Sequence, residues 1–544
     1  MTDCKNCNNS FEVGDFDRDF YKKVDVPEPT FCPDCRLQRR LSLRNERYLS
    51  KNKCSKCKKD IITFFREKEE FPIYCHDCWW GDDWDPLSYG QDFDFSRPFF
   101  EQFHELMMKV PKAGLLVFEC ENSEYNTLLA YCKNSYMCAG TYYSEDVYYM
   151  TKSQKCKDCS DGLTVDDCEL VYYSVNSQNC YNCHHLINSK GCSDCAYLDA
   201  CIGCKNCFMC SGLRNKEFNF KNQQYSKEDY EKLVNEKMQI DQNELMKEFQ
   251  DFNQTIPKKY QNQINCENCS GNYLKNCNNV HESYDCIGVE DSKYMFGSVN
   301  VNDSMDLTNH DEKVELCYEI CTGGDRNVNT KFSFCPVVSP ECTYVYICLN
   351  ISDCFGCDGL HKREQYCILN KKYSKEEYFE LRDKIIEHMK KTGEYGEFFP
   401  SSLSLYPYNH CAAQDLFPLT KEQALEQGYK WQDKDPKEYR PATYKVPASI
   451  KEVPDSVVDE ILACEDCEKN YKIQTQELFL HRKIGAPLSK KCSDCRQLEM
   501  QSWKNPRKLW KRDCDKCSKK IQSTYSTDRP EKVYCEQCYL KEVV

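Results

Sequence analysis

The chain has 544 residues, 43 of them cysteine, and a formal net charge of −14. This length exceeds what one hydrophobic core can serve, so we predict several domains. The negative charge excludes a protein whose whole surface coats nucleic acid, and disulfide scaffolds are normally much shorter.

The cellular setting follows from two features. The chain opens with MTDCKNCNNS, which lacks the basic and apolar segments of a secretory signal peptide. No run approaches the roughly 18 apolar residues that a bilayer-spanning helix needs. We therefore predict a cytoplasmic protein without membrane contact, whose cysteines are reduced or bound to metal.

Residues 1–82 contain four CxxC pairs, separated by 24, 18 and 17 residues. Two thiolates from one CxxC reach one metal, and two pairs complete a tetrahedral four-sulfur site. The spacing predicts tandem zinc domains of the zinc-ribbon or treble-clef type, each with one structural zinc ion. The predicted ligands are Cys4, Cys7, Cys32, Cys35, Cys54, Cys57, Cys75 and Cys78.

A basic segment lies between the second and third CxxC pairs. From Arg36 to Lys59 it contains ten Lys or Arg residues and one acid, Glu46. Arginine is well suited to phosphate because its planar guanidinium donates several hydrogen bonds. The candidate nucleic-acid contacts here are Arg36, Arg39, Arg40, Arg44 and Arg47. The alternative is that these side chains form a solvated face or pair with acids elsewhere in the chain.

Residues 83–119 are predicted to be a linker with a short helix. Within DFDFSRPFFEQFHELMMK (92–109), Ser96 and Pro98 mark the start of this helix and Pro111 its end.

Residues 120–224 repeat with a strict 12-residue period. Cysteine occupies seven of its eight recurring slots and Ser144 the remaining one. A fixed period of this kind predicts a β-solenoid, whose coils bury a face only by stacking. Because rows two apart are sometimes the more similar, we predict 12-residue half-coils and about 24 residues per coil.

A second array at 265–372 has a related spacing of 11 to 13 residues. A helical connector at 225–264 precedes it, and a helix with an extended arm follows at 373–460. Capping boxes begin both helices, Ser226 with Asp229 and Ser374 with Glu377. The fold class is therefore mainly β with helical connectors, with two short β-solenoids between terminal zinc domains.

The solenoid cysteines admit two interpretations. CYNC (180–183) and CSDC (192–195) are CxxC motifs, which favours metal or redox chemistry. At the fourth position of the repeat, however, Ser123, Ser135 and Val147 alternate with Cys183. A ligand position does not accept valine, whereas a buried slot accepts Val, Ser and Cys alike. We predict a buried ladder of small side chains.

Residues 461–544 duplicate residues 1–82 with a shift of 460 at every cysteine. The total prediction is four structural zinc ions per chain. The second ligand set is Cys464, Cys467, Cys492, Cys495, Cys514, Cys517, Cys535 and Cys538. The basic segment also recurs, and its candidate nucleic-acid contacts are Arg496, Arg507, Lys508, Lys511 and Arg512. Pro506 is expected to end or bend the helix in this copy.

Four segments carry a family resemblance: CPDCRLQRRLSLRNER (32–47), PIYCHDCWW (72–80), DFSRPFFEQF (94–103) and GEYGEFFPSSLSLYPYN (393–409). Over most of its length the chain resembles the cysteine-rich zinc-ribbon proteins found widely in small-genome candidate-phylum bacteria. The resemblance implies a bacterial cytoplasmic protein and no particular activity.

Three classes of function remain. No Walker loop, dinucleotide fingerprint, HExxH or GxSxG motif occurs, so we predict a non-enzymatic interaction protein whose zinc domains bind RNA, DNA or a ribosomal surface. The first alternative is a scaffold that binds protein partners on its solenoid faces. The second is a carbohydrate-active or thiol-redox enzyme in a solenoid groove, which rests only on fold-level analogy.

Overall fold

A computed structural model describes residues 1–123, 125–154, 160–162, 165–166, 169–433 and 438–543. The protein is mainly β and divides into two compact units that interleave along the chain. Unit 1 comprises Met1–Gly114, Gln261–Asp433 and Arg507–Leu509, and unit 2 comprises Leu115–Tyr260, Lys434–Pro506 and Trp510–Val544. The N-terminal cysteine domains therefore share a unit with the second solenoid, and most of the C-terminal cysteine domains share a unit with the first.

The solenoid of unit 2 is a stack of parallel strands. Its first sheet contains Val117–Phe118, Thr127–Ala130, Ala139–Tyr142, Thr151–Gln154 and Val165–Asp166. Its second contains Glu169–Val175, Tyr181–Ile187, Ala196–Asp199, Lys205–Ser211, Glu217–Phe220 and Gln223–Gln224. Neighbouring strands pair in parallel, except for the antiparallel last pair. The periodic Cys156, Cys159 and Cys168 lie outside the described residues.

Each coil has 12 residues. His184 pairs with Ala196, and Ala196 pairs with Phe208. Both offsets are 12, so one period returns the chain to the neighbouring position in the sheet. The prediction of a 24-residue coil made from two half-coils is therefore wrong. The similarity of rows two apart does not reflect the length of the coil.

A repeating triplet explains how so few residues close a coil. In every third residue the backbone adopts the left-handed region, with φ near +50°, as at Asn176, Asn179, Asn182, His185 and Asn188. The residue after each of these points inward: Ser177, Cys180, Cys183, Leu186 and Ser189 are all at most 2% exposed. Four such triplets make one coil.

Asparagine and aspartate are favoured at the left-handed positions because they tolerate this backbone conformation better than other side chains. They also bond along the stack. The amide of Asn134 donates to Asp146 at 2.9 Å, and that of Asn182 donates to Asp194 at 2.8 Å.

The solenoid of unit 1 uses the same triplet. Its strands are Gln263–Ile264, Gly271–Lys275, Asn278–His281, Ser283–Ile287, Glu290–Lys293, Val299–Asn302, Met305–Glu315, Tyr318–Gly323, Lys331–Phe334, Ser352–Phe355, Gln365–Ile368 and Lys371–Lys372. Left-handed residues again recur every third position, at Tyr273, Asn276, Asn279, Glu282 and Asp285. The residues that follow them form a buried apolar column with Leu274, Cys277 and Val280.

The solenoid cysteines fill the interior as predicted. Cys183, Cys195 and Cys207 form part of one buried cluster with Val147. The Cys183 thiol donates to the carbonyl oxygens of Tyr181 at 3.1 Å and Cys192 at 3.5 Å. The hydroxyl of Ser189 makes the same kind of bond, to the carbonyl of Ile187 at 2.9 Å. Cysteine and serine are therefore interchangeable here as small donors.

The cysteine domains are built from short hairpins and helices. In unit 1 they comprise the strands Thr2–Asp3, Ser10–Phe11, Ser50–Lys53, Asp60–Thr63 and Ile73–Tyr74 and the helices Asp15–Lys23, Pro33–Leu41 and His76–Trp80. In unit 2 they comprise the strands Leu462–Ala463, Asn470–Tyr471, Trp510–Asp513, Lys520–Ser523 and Val533–Tyr534 and the helices Thr475–Ile484, Ser493–Ser502 and Glu536–Val543.

The connecting helices begin where the capping residues predicted. The helix Lys375–Thr392 starts at the Ser374 capping box, and the helix Phe99–Lys109 follows Pro98. Ser226 caps the helix Lys227–Lys237, which ends before a second helix, Gln242–Thr255, begins. The predicted helical connector at 225–264 thus contains two helices, the second capped by Asp241.

The remaining segments are short and well packed. In unit 1 they include the strand Lys112–Ala113, the α-helices Ala413–Leu416 and Lys421–Glu426, and the 3-10 turns Pro86–Tyr89, Ser401–Leu403 and Tyr408–His410. In unit 2 they include the strand Lys258–Lys259 and the 3-10 turns Ile450–Glu452 and Asp455–Asp459. No described helix has the length and apolarity needed to cross a membrane.

Candidate metal centres

The structure brings the sixteen terminal cysteines together as four tetrads, in the pairing that the sequence predicts. Within each tetrad the sulfur atoms all lie within 4.8 Å of one another. Four close pairs, Cys7–Cys32, Cys57–Cys75, Cys467–Cys492 and Cys517–Cys535, are each 3.7 Å apart. Four thiolates at about 2.3 Å from one metal, in a tetrahedron, stand about 3.8 Å apart. The donor set therefore fits a four-coordinate metal ion.

Each tetrad combines two kinds of CxxC. The first kind lies in a tight turn: the amide of Asn8 donates to the carbonyl of Cys4 at 2.9 Å, and Asn8 has a φ of 60°. The second kind opens a helix, since Cys32 caps the helix Pro33–Leu41 and Cys35 lies in its first turn. The unsatisfied amides and dipole at a helix start stabilise thiolate charge.

Backbone amides point at the sulfur atoms. Cys75 N–H donates to the Cys54 sulfur at 3.3 Å, and Cys535 N–H donates to the Cys514 sulfur at 3.2 Å. Burial by itself raises the pKa of Cys54, but these amide bonds outweigh it and lower that pKa to about 6. The same balance lowers the pKa of Cys514 to about 6. Thiolates are the metal-binding form, so both sites are prepared for a cation.

The tetrads lie apart from the solenoid cysteines. Among the residues that the structure describes, the clusters of three or more metal-binding side chains are these four. None of the described solenoid cysteines takes part in such a cluster.

The basic segment of unit 1 is turned toward the protein interior. Arg36 is 1% exposed, donates from Nε to Oδ2 of Asp306 at 3.0 Å, and donates from Nη1 to the carbonyl of Phe31 at 2.7 Å. Its guanidinium lies 5.1 Å from the ring centroid of Tyr294. Arg40, which is fully buried, lies 3.0 Å from the other oxygen of Asp306. The helix Pro33–Leu41 is therefore docked on the solenoid of its unit through the buried carboxylate of Asp306, with Glu319 as a second solenoid acid paired to Arg39.

Unit 2 repeats this arrangement. Arg496 donates from Nε to Oδ2 of Asp161 at 2.8 Å and from Nη1 to the carbonyl of Lys491 at 3.0 Å. Its guanidinium lies 4.9 Å from the ring centroid of Tyr149. Because Arg496 corresponds to Arg36 under the 460-residue shift, the duplicated domain docks on its solenoid by the same aspartate and tyrosine contacts. The bond to the carbonyl of Phe31 or Lys491 lies within the metal domain itself, and Met500 stands at the position of Arg40.

A second buried acid faces Arg496. Glu477 Oε1 lies 3.6 Å from Nη2 of Arg496, and Glu477 is 1% exposed. Burial raises the pKa of Glu477 to about 7, although Arg496 opposes that rise. Burial also raises the pKa of Asp161. The corresponding residue of the first copy is Asp17, which forms a buried ion pair with Lys293 at 3.0 Å.

Most of the other residues predicted to contact nucleic acid form ion pairs with acids of their own unit. Arg39 pairs with Glu319 and Glu397, Arg44 with Glu46, and Arg47 with Asp415. Arg507 pairs with Asp285 in unit 1, and Arg512 pairs with Asp515 in unit 2. Lys508 and Lys511 are exposed.

The prediction that these arginines contact phosphate is therefore not supported. Four of them, Arg36, Arg39, Arg40 and Arg496, are at most 6% exposed, and their charges are compensated by carboxylates of the same unit. The alternative interpretation, in which the arginines pair with acids elsewhere in the chain, describes what the structure shows.

Sequence reasoning missed the acids of these pairs. Asp306 and Asp161 lie at left-handed positions of the solenoid triplet, where aspartate also serves the backbone. An aspartate at such a position is already explained by the backbone conformation, so the sequence gives no sign that it also binds an arginine of the metal domain.

Comparisons with known proteins assign no function. No protein-family model and no curated protein matches the chain. Among solved structures, it shows similarity to a putative acetyltransferase from Desulfovibrio desulfuricans G20, with 10% sequence identity and a TM-score of 0.11. The match covers 43% of this chain and 64% of that chain, less than two thirds of its length. A TM-score this low carries no argument about fold or activity.

Proposed function

We propose that the protein is a non-enzymatic, zinc-stabilised scaffold of the cytoplasm that binds protein partners on its solenoid faces. Zinc is the metal we assign to the tetrads, because closed four-thiolate tetrahedral sites are typical of structural zinc. Because a turn supplies one CxxC and a helix start the other, we favour treble-clef-like domains over simple ribbons. None of the described cysteines forms a disulfide, which supports a reducing compartment.

One observation carries the proposal. The arginine that follows the second CxxC of each terminal domain is buried against a solenoid aspartate, Arg36 on Asp306 and Arg496 on Asp161. The side chains best suited to phosphate are thus used to hold each domain on its own solenoid. In this interpretation the zinc domains clamp the solenoids, and the remaining solenoid surface is left to bind partners.

An aromatic ladder on the unit 2 solenoid offers such a surface. The rings of Tyr131 and Tyr143 stack with centroids 4.9 Å apart and an interplanar angle of 7°. Tyr131 is 44% exposed and Tyr143 is 61% exposed. Exposed tyrosines on a rigid face are typical of protein-binding surfaces, because they bury a large apolar area at low entropic cost.

The test is to capture partners with the full-length protein under conditions that distinguish protein partners from partners held through nucleic acid. We expect the captured proteins to survive nuclease treatment and raised salt. Tyr143→Glu should lose them, because it places a charge in the ladder. Phe95→Glu is the matched control, since Phe95 is 45% exposed and lies in unit 1. Partners that disappear on nuclease treatment, or that Tyr143→Glu retains, would contradict the proposal.

A second candidate function is nucleic-acid binding by lysines rather than arginines. The hairpins Ser50–Lys53 with Asp60–Thr63, and Trp510–Asp513 with Lys520–Ser523, carry exposed lysines next to the second and fourth tetrads. These include Lys51, Lys59, Lys511 and Lys519. Lysine contacts with phosphate weaken steeply with salt.

Charge reversal distinguishes this candidate from the scaffold. Lys51→Glu with Lys511→Glu should weaken RNA or DNA binding and reduce its salt dependence while leaving the metal content unchanged. If the full chain binds no nucleic acid at low salt, this candidate is excluded and the scaffold proposal is unaffected.

A further inference from the structure

Unit 2 contains a cavity of about 660 Å³. Solenoid residues such as Tyr136 and Tyr149 line one part of it, and Cys492 of the third tetrad and its neighbour Ser493 line another. Pockets of about 300–1,000 Å³ are typical of sites for small molecules and cofactors. The cavity is open to solvent and large enough for a nucleotide.

Tyrosine rings form much of its wall, and several are held in place. The Tyr471 hydroxyl donates to the carbonyl of Ser489 at 2.8 Å. The Tyr149 ring lies under the guanidinium of Arg496 and meets the ring of Tyr136 edge to face, with centroids 5.8 Å apart. Tyr439, also in the lining, is 49% exposed. Such rings are suited to stacking against a planar base.

Cationic side chains also line the cavity. Asn470 fixes the backbone of Arg440 with two hydrogen bonds of 2.8 and 2.9 Å, and the Arg440 side chain is exposed. Lys472 Nζ donates to a backbone carbonyl, that of Asp459, at 3.1 Å. Lys469 also lines the cavity but is paired with Asp494, and Glu438 contributes one carboxylate. Arg440 and Lys472 are therefore the cations best placed to hold a phosphate.

The internal duplication shows that this chemistry is not required by the fold. Under the 460-residue shift, the metal-binding cysteines and the docking arginine are the same in both copies, as with Cys32 and Cys492 or Arg36 and Arg496. The cavity residues differ. Lys469, Tyr471 and Lys472 correspond to Asn9, Phe11 and Glu12, so the second copy has two lysines and a phenol at positions where the first copy has none.

We propose that this cavity is a nucleotide-binding site, in which the tyrosine rings stack on the base and Arg440 and Lys472 hold the phosphate. The nucleotide is either a free mononucleotide or one unit of a single-stranded nucleic acid, since both present the same base and phosphate. Arg496 of the docking contact also lies in the cavity wall, but its charge is paired with Asp161 and it is not one of the cations assigned to the phosphate. The site does not depend on the scaffold proposal.

The experiment uses the full-length, metal-loaded chain. One arm titrates it with a fluorescent adenosine monophosphate, and the other with a labelled ten-nucleotide single-stranded RNA, both at low salt. We expect saturable binding in at least one arm. Binding in both arms indicates a mononucleotide site, and binding of the oligonucleotide alone indicates a single-stranded nucleic-acid site.

Variants locate the binding. Tyr439→Ala should weaken it about tenfold, in line with the loss of one base-stacking contact. Lys472→Glu, which restores the residue of the first copy, should weaken it at least tenfold and reduce its salt dependence. Lys451→Glu is the control, because Lys451 is exposed in unit 2 and outside the cavity lining. Circular dichroism and metal content verify folding, and Tyr439, being exposed, gives a second variant should Lys472→Glu misfold. No binding in either arm, or wild-type affinity in Tyr439→Ala, would overturn the proposal.

Discussion

Nε of Arg36 donates to Oδ2 of Asp306 at 3.0 Å, across 270 residues of chain. Both side chains are at most 1% exposed. The same contact recurs in unit 2, where Arg496 bonds Asp161 across 335 residues at 2.8 Å. Each copy of the metal domain thus carries an arginine that docks it on its solenoid, and each solenoid supplies the aspartate that this arginine binds.

The first prediction concerns this contact. Arg36→Ala should lower the free energy of unfolding of unit 1 by about 1.5–3 kcal/mol, because it removes charge-assisted hydrogen bonds to the buried Asp306 carboxylate and leaves Arg40 as its remaining partner. Urea denaturation of the full chain measures this. Arg97→Ala is the control, since Arg97 pairs with Glu101 and Glu105 on the surface and surface pairs contribute little. Equal losses in the two variants would refute the docking role.

The second prediction concerns the metal. Elemental analysis should give about four zinc ions per chain, one for each tetrad. Cys32→Ser should lose one ion and unfold its domain, because metal binding supplies most of the folding free energy of such small domains. Cys183→Ser should retain all four. A zinc content near zero, or well above six, would contradict the assignment.

The third prediction concerns the solenoid interior. Cys183→Val should change stability by less than about 1.5 kcal/mol, as volume-conserving substitutions do. Cys183→Asp should be strongly destabilising, because it buries a charge at a site that is 0% exposed. Thermal denaturation monitored by circular dichroism compares the two. Loss of bound metal in the valine variant would show that the interior cysteines are ligands after all.

The fourth prediction concerns the left-handed positions of the triplet. Asn182 has a φ of 49°, a conformation that costs a β-branched residue about 1–2 kcal/mol. Asn182→Val should therefore destabilise unit 2 by at least this amount, whereas Asn182→Gly should be tolerated. Tyr181→Val, at the neighbouring exposed position outside the left-handed region, is the control. If Asn182→Val and Tyr181→Val have the same melting temperature, the left-handed backbone at Asn182 does not limit which residues the coil accepts there.

The fifth prediction concerns pH. The pKa of Glu477 is raised from 4.5 to about 7 by burial, so the folded protein holds this proton more tightly than the unfolded chain. The resulting stability is fully present below pH 4.5 and is lost as the pH rises through about 7. At about 1.4 kcal/mol per pKa unit, the difference is on the order of 3 kcal/mol.

Comparison with Glu477→Gln isolates this effect, because acid release of metal affects both proteins alike. Between pH 5 and pH 8, the stability of the wild type relative to the variant should fall. The measurement is the midpoint of urea denaturation of the wild type and of Glu477→Gln at several pH values in this range. A difference that stays constant with pH would show that Glu477 is charged throughout.

Some features of the protein could be read from the sequence because their causes are local. The ligands of the tetrads follow from CxxC spacing, since two thiolates three residues apart reach one metal wherever the turn lies. The inward positions of the solenoid follow from the occurrence of Val147 beside Ser135 and Cys183 in one register, which only a buried slot allows. Capping residues such as Ser374 fix helix starts within a few residues of themselves.

Other features were decided only by the tertiary structure. The length of the coil depends on the backbone conformation of every third residue. Asparagine and aspartate are favoured there, but residues as different as Tyr173 and His185 also adopt this conformation, so the sequence does not mark every such position. The position of Arg36 depends on Asp306, which the fold brings to it. A guanidinium is equally suited to phosphate and to carboxylate, and its charge and hydrogen-bonding geometry are the same in both cases. Which partner it meets is set by the packing of the helix Pro33–Leu41 on the solenoid, because burial removes the competing water and leaves the nearest carboxylate as its counterion.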